Sequence, residues 1–270
     1  MSLSGGLSGG LHRGLNALGA GGAAAWSPAS LPGLAVTMLP ALARSQGKLW
    51  QDTGKTIPAT ADGDPVRVAV CPFTALEFVA SSDAARPLLT AESGGKWSLT
   101  FDGVDDHLTE STLATAAGAI TAAAAVFRTG TTVTNRTVFG RYTATGNQRA
   151  WAIRSGTAAG DAQTTVSGDG TNFVFANTMG GFGGGAWLRL SGQYTPSARL
   201  ETFLAGVSVA ATTASIPAAT FAGTAPLSVM ANGDAAGPHA GRVGGAVLYH
   251  SLLSAANLAL LDTYMASLHP

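Results

Sequence analysis

Trp97, Leu99 and Phe101 alternate with Ser98 and Thr100, a period of two that predicts a strand with one buried face. The strand stops at Asp102-Gly103, a turn dipeptide in which Asp bonds nearby backbone and Gly accepts positive φ. From Gly118 onward short alternating runs recur between turn clusters. They predict strands over 119–128, 136–142, 150–154, 163–167, 173–176, 187–194, 200–204, 207–212 and 227–231. The breakers are Thr145-Gly146-Asn147, Gly168-Asp169-Gly170, the run Gly180 to Gly185 and Asn232-Gly233-Asp234, and G-G-F-G-G-G at 180–185 is the loosest stretch. Many short strands with regular turns predict a sandwich or barrel. Near the C-terminus the period changes: Ser254 is a candidate N-cap, and Leu258, Leu261 and Met265 form a helical stripe ending before Pro270.

The first 84 residues read differently. Leu3, Leu7, Leu11 and Leu15 recur every four residues in a Gly-rich background, where interior glycines at about 1 kcal/mol each disfavour a free helix. Residues 26–70 are interrupted by Pro28, Pro32, Pro40, Pro58 and Pro65, with short helical turns expected between Ser30 and Arg44 around Leu34, Met38 and Leu42.

Charged residues are only 11% of the chain, and 36 glycines supply many of its turns. Lys+Arg and Asp+Glu balance at 15 each, so nothing in the net charge favours nucleic acid or an anionic membrane. The single cysteine, Cys71, can form no internal disulfide and is expected as a small buried hydrophobe. No apolar run reaches the ~18 residues of a membrane span, and the N-terminus lacks a basic region followed by an apolar core. Synthesis and assembly inside a cell, without export, is the expectation.

W-S-L-T-F-D-G-V-D-D-H-L at 97–108 resembles the opening strand and turn of concanavalin A-like, laminin-G-like (LamG) jelly-roll domains. W-L-R-L-S-G-Q-Y with L-E-T-F-L-A-G-V-S-V-A resembles their later hairpin, and 241–267 their closing strand and helix. Ahead of these, L-W-Q-D-T-G-K-T-I-P-A-T-A-D-G-D-P-V at 49–66 is similar to a segment preceding such domains in tailed-bacteriophage and prophage proteins. Cys71-Pro72-Phe73-Thr74 stands where those proteins carry an Asp-Lys-Ser-Gly-Asn-Gly turn, so nothing attributed to that turn carries over.

The resemblance implies an all-β, two-sheet antiparallel jelly-roll sandwich with a short C-terminal helix and an irregular Gly-rich N-terminal arm. The organisation expected is an assembly arm over 1–25, an irregular transitional region over 26–84 packing on the sandwich, and the sandwich over 85–270. It further implies a structural virion protein: a decoration, fibre or tail-attachment module assembled in the host cytoplasm, displaying its sandwich toward host-surface glycans. Leu3, Leu7, Leu11 and Leu15 would then bury against sister subunits, a trimer being the guess, or against other virion proteins. A lectin-like domain without a virion role is the alternative, and a degenerate glycosidase the third reading.

Glycosidases of this fold need paired carboxylates, commonly in a Glu-x-Asp-x-x-Glu strand. The glutamates here, Glu77, Glu92, Glu110 and Glu201, form no such pattern, so no enzyme is expected. Asp102, Asp105 and Asp106 have the donor chemistry of a Ca²⁺ site, but turn capping by Asp102 and Gly103 explains them with fewer assumptions, and no cofactor is expected. The five histidines have no metal-ligand spacing. Trp97 and Trp187 read as core, while Tyr142 and Trp151 stay open between core filling and a sugar-stacking platform. Arg136, Arg141, Arg149 and Arg154, with Asn147 and Gln148, make the one polar concentration. Tyr142, Asn147, Gln148, Arg149 and Trp151 are thus the candidate binding residues.

Overall fold

The computed structural model describes residues 26–130 and 134–270, and these form two antiparallel sheets packed face to face. The leucine arm at 1–25 lies outside the described residues. The strands are β1 (Leu34–Met38), β2 (Leu49–Trp50), β3 (Val68–Val70), β4 (Glu77–Val79), β5 (Leu88–Ala91), β6 (Trp97–Phe101) and β7 (Leu108–Glu110). They continue as β8 (Ile120–Arg128), β9 (Thr137–Thr143), β10 (Gln148–Ser155), β11 (Ala162–Val166) and β12 (Val174–Asn177). Last come β13 (Trp187–Thr195), β14 (Arg199–Leu204), β15 (Val207–Thr212), β16 (Leu227–Val229) and β17 (Gly241–Tyr249). Helix α1 is Pro40–Ser45 and α2 is Ala255–Ser267.

One sheet runs β15-β14-β13-β8-β17-β6-β5, with β1 beside the second half of β17; the other runs β12-β11-β10-β9-β16-β7-β4-β3-β2. Strand β8 shows why they stack. Ile120, Ala122, Ala124 and Val126 point into the inter-sheet core with Leu99, Phe139, Ile153 and Leu227. Its alternate residues Ala123 and Ala125 face outward, where Val247, Tyr249 and the α2 stripe Leu258, Leu261 and Met265 cover them. Full burial of such a Leu or Ile contributes about 1.5–3 kcal/mol. Small alanines admit the helix, and Gly245 does the same: a Cβ there would lie 2.6 Å from Leu268 and 2.8 Å from Leu39. Ser254 caps α2 by accepting from Asn257 N at 3.3 Å, as its place in the sequence predicts. The Tyr249 hydroxyl donates to the Pro28 carbonyl at 3.0 Å and ties the N-terminal approach to the same face.

Four expectations are corrected. Leu34–Met38 is a strand, not a helical turn, because β17 extends past β6 and offers it a free edge; only Pro40–Ser45 is helical. The stretch 26–84 does more than pack on the sandwich: it supplies β1 to one sheet and β2, β3 and β4 to the other. The strand Trp97–Phe101 is buried on both faces at Ser98 and Leu99, since Ser98 Oγ donates to a Glu92 carboxylate that also pairs with Arg242. The glycine run is anchored by Phe182, fully buried with its ring 4.6 Å from the Arg128 guanidinium and its carbonyl accepting from Arg128.

The segment similar to phage proteins is a set of Asp-held turns. Asp52 accepts from the N–H of Thr56 and Ile57, Asp64 from those of Thr60 and Ala61, and Asp62 from that of Ala91. The positions that carry that resemblance therefore shape the connection from β2 to β3, which is set against β5 by the bonds of Gly63 N to Leu89 O and of Leu89 N to Asp64 O.

Candidate functional site

Strand pairing sorts the residues of β9 to β12 into two faces. Arg141 and Trp151 are paired, as are Phe139 and Ile153, and Phe139, Trp151 and Ile153 belong to the inter-sheet core. Gly140, Ala152, Thr165 and Phe175 form a row on the opposite, outer face. Arg149 and Arg154 are five residues apart, so an unbroken strand would place them on opposite faces. A register shift between Arg149 and Trp151 turns Ala150 into the core and returns Arg149 to the outer face. Both guanidinium groups then stand over one ring, that of Tyr142, at 4.4 Å for Arg154 and 5.9 Å for Arg149. Phe173 approaches Tyr142 edge-on at 6.4 Å, and Phe175 lies 6.2 Å from Phe173. Phe173 and Phe175 are 39% and 43% exposed, which makes this aromatic row an open surface at the β12 edge.

The electrostatics of the cluster are one-sided. Arg154 is buried, donates one Nη to the Asn135 carbonyl and has no partner for Nε. Burial holds its pKa below the usual arginine range, the Tyr142 hydroxyl acts in the other direction, and the charges of Arg149 and Arg136 lower it further. Arg149 donates to Asn147 Oδ1 at 3.2 Å and to the Thr171 carbonyl at 3.1 Å, which pins the 168–172 loop beside the face.

The sequence-based candidates separate here. Tyr142 and Arg149 come together, and Asn147 joins them through Arg149. Gln148 does not: its Oε1 accepts from Thr224 N at 2.8 Å and its Nε2 bonds the Gly146 carbonyl, so it braces two loops. Trp151 is a core residue, 3% exposed and edge-on to Phe139 at 5.8 Å, and is no sugar platform. Trp97 and Trp187, expected as core, are half-buried, Trp97 packing against the edge of the inter-sheet core; Arg44 lies 3.9 Å over Trp97, and His269 stacks on Trp187 at 5.1 Å. Arg141 is also off the surface, donating to the carbonyls of Ala225 and Leu113 near the buried Glu110. Phe173 and Phe175 were missed as site residues, and one sequence signal points at their neighbours. Residues 111–160 contain five arginines and neither Asp nor Glu.

The acidic turn is a structural device. Asp102 Oδ1 accepts from Val104 N at 2.7 Å and Asp105 N at 3.3 Å, Asp106 Oδ2 accepts from Asp102 N at 2.9 Å, and Gly103 has φ +79°. The three carboxylates lie within 4.8 Å of one another. Burial raises Asp106 to about 7; the bond from Asp102 N opposes this, and the charges of Asp102 and Asp105 add to it. Asp102 Oδ1 and Asp106 Oδ2 are thus taken up by turn amides, as the turn requires. A separate cleft of about 350 Å³ is lined by Glu77 and Glu110. Glu77 pairs with Lys55, and Glu110 accepts from Thr112 and from Leu113 N, so both are held as acceptors.

No protein-family model matches the sequence, and no curated protein matches it. Solved structures share the fold. Domain 4 of AbnA, a GH43 extracellular arabinanase from Geobacillus stearothermophilus in complex with arabinotriose, aligns at TM-score 0.55 and 14% identity, covering 85% of this chain and 98% of that domain. The binding domain of Paraclostridial Mosquitocidal Protein 1 aligns at 0.52 and 8% identity over 70% of this chain, and that of Botulinum neurotoxin serotype G at 0.50 and 8% over 71%. The match spans 49% of each toxin domain. At these identities the likeness establishes the jelly-roll sandwich fold.

Proposed function

We propose that this chain is a non-enzymatic binding module that takes a saccharide or glycosylated receptor on the outer face of β9 to β12. The observation that carries this reading is the aromatic row Tyr142, Phe173 and Phe175, two of its rings exposed, beside guanidinium donors on one sheet face. Apolar rings for the flat faces of a sugar and a few fixed polar groups for its hydroxyls are what a small-ligand site requires. The arabinotriose complex of the arabinanase domain and the binding domains of the toxins lend support as proteins of like fold. A non-catalytic role is supported by the absence of Asp and Glu from β9 to β12 and by the occupied carboxylates of Glu77 and Glu110. A glycan array probed with the full chain tests the reading. Binding to a defined set of glycans, lost in Phe175→Ser, is expected; no binding to any glycan overturns it.

The resemblance of residues 49–66 to phage and prophage proteins favours one setting for this module: display on the virion of a tailed phage, as a decoration, fibre or attachment component, with 1–25 as the assembly arm. Antibody labelling of purified particles tests the setting independently of the ligand.

A further inference from the structure

We propose that the face built on Tyr142, Arg149 and Arg154 selects an acidic saccharide, one bearing a carboxylate or a sulfate, over its neutral counterpart. This rests on the reading of that face as a saccharide surface and adds the class of ligand.

The chain is neutral overall, yet the fifty residues from 111 to 160 hold five of its fifteen basic residues and none of its acids. Outside that stretch Lys55, Arg67, Arg86, Arg189, Arg199 and Arg242 each meet a carboxylate, while Arg44, Lys48 and Lys96 donate to backbone carbonyls. Among the described residues Arg136, Arg149 and Arg154 meet none. Asp169 lies in the loop beside Arg149, but its carboxylate is taken up by the N–H groups of Thr171 and Asn172 and by the Ser167 hydroxyl.

Like charges gathered where water is scarce destabilise a fold unless something offsets them. The Tyr142 ring offsets part of this, with two guanidinium groups over its face. Neutral acceptors take one Nη of each, Asn135 O for Arg154 and Asn147 Oδ1 and Thr171 O for Arg149, but the Nε of Arg154, a residue 3% exposed, and the Nε of Arg149 are buried without a partner. A planar guanidinium presents a fork of donors that fits two oxygens of a carboxylate or sulfate. The exposed rings of Phe173 and Phe175 adjoin it, as a ligand with both a sugar ring and an anionic group requires.

The test is calorimetric titration of the full chain with matched pairs: 3′-sialyllactose, 3′-sulfolactose and lactose, then trigalacturonate and galactotriose. At least one acidic member should bind about tenfold tighter than its neutral partner, the worth of one charge-assisted hydrogen bond. That gap should shrink in about 0.5 M NaCl. Arg149→Gln should close it, whereas Phe175→Ser should weaken acidic and neutral members together. Arg149 is half-buried, so this variant should keep its thermal transition; Arg149→Lys, retaining charge without the fork, should keep part of the gap if Arg149→Gln melts early. Equal affinity for acidic and neutral members overturns the proposed class while leaving saccharide binding intact. A preference that survives Arg149→Gln overturns the proposed place, and no binding of any acidic member overturns the proposal whatever neutral glycans the array returns.

Discussion

The outer face of the eight-stranded sheet and that of the nine-stranded sheet have similar centres and opposite surroundings. In the first, Ala123 and Ala125 lie beneath Leu258, Leu261 and Met265, and the cover is completed by Leu31, Leu39 and Leu268. In the second, Ala152 and Gly140 occupy the middle, but the residues around them are Tyr142, Arg149, Arg154, Phe173 and Phe175. Small residues in a strand let something approach closely. On one face that is the chain's own helix, so the burial contributes to stability; on the other, exposed rings and guanidinium donors remain for a ligand.

The two faces should respond most differently to side-chain truncation. Leu261→Ala, removing a side chain 1% exposed under α2, should cost about 3 kcal/mol and lower the melting temperature without altering ligand affinity. Phe175→Ser, on the open face, should change stability by no more than about 0.5 kcal/mol while abolishing binding. Thermal melts and titrations of both variants check the pair. If Leu261→Ala loses affinity while still folded, the division of labour between the faces is wrong.

A smaller effect sharpens it through pH. His239 is 1% exposed; burial pushes its pKa down to about 4, its bond to the Ala240 carbonyl opposes this, and the charges of Arg128 and Arg136 add to the depression. Between about pH 4 and 6.5 the unfolded chain binds the proton that folded His239 refuses, so this residue makes stability rise with pH. Asp106, raised to about 7, acts oppositely: the folded state holds a proton that the unfolded carboxylate has released, and stability falls as pH rises from about 4 to 7. The two slopes oppose each other in the wild type. His239→Gln should expose a falling profile and Asp106→Asn a rising one, each by a few degrees in melting temperature, about 2–4 °C per kcal/mol for a domain of this size. Parallel profiles in the two variants would show that these groups do not titrate as their surroundings imply.

Much of the fold was legible in the sequence. The predicted strands from 119 to 231 and the α2 stripe appear within a few residues of their expected limits, because alternation reports directly on a sandwich with a buried interior. Strands β2, β3 and β4 were not legible: at two or three residues each, among prolines, they are too short for a period to show. The site was half legible. Tyr142 and Arg149 were named, and the acid-free run around them could have been counted. Arg154 joins them only through the displaced Ala150, a bulge that no turn residue announces, and the same pattern gave no sign that Trp151 would be core while Trp187 lay at the margin.

The most direct test of the outer-face site is hydrogen–deuterium exchange of the full chain with and without a glycan it binds on the array. Slowed exchange confined to β9 to β12 and the 168–172 loop is expected, with α2 and β17 unchanged. Protection centred on α2, or on the Glu77 and Glu110 cleft, would contradict it.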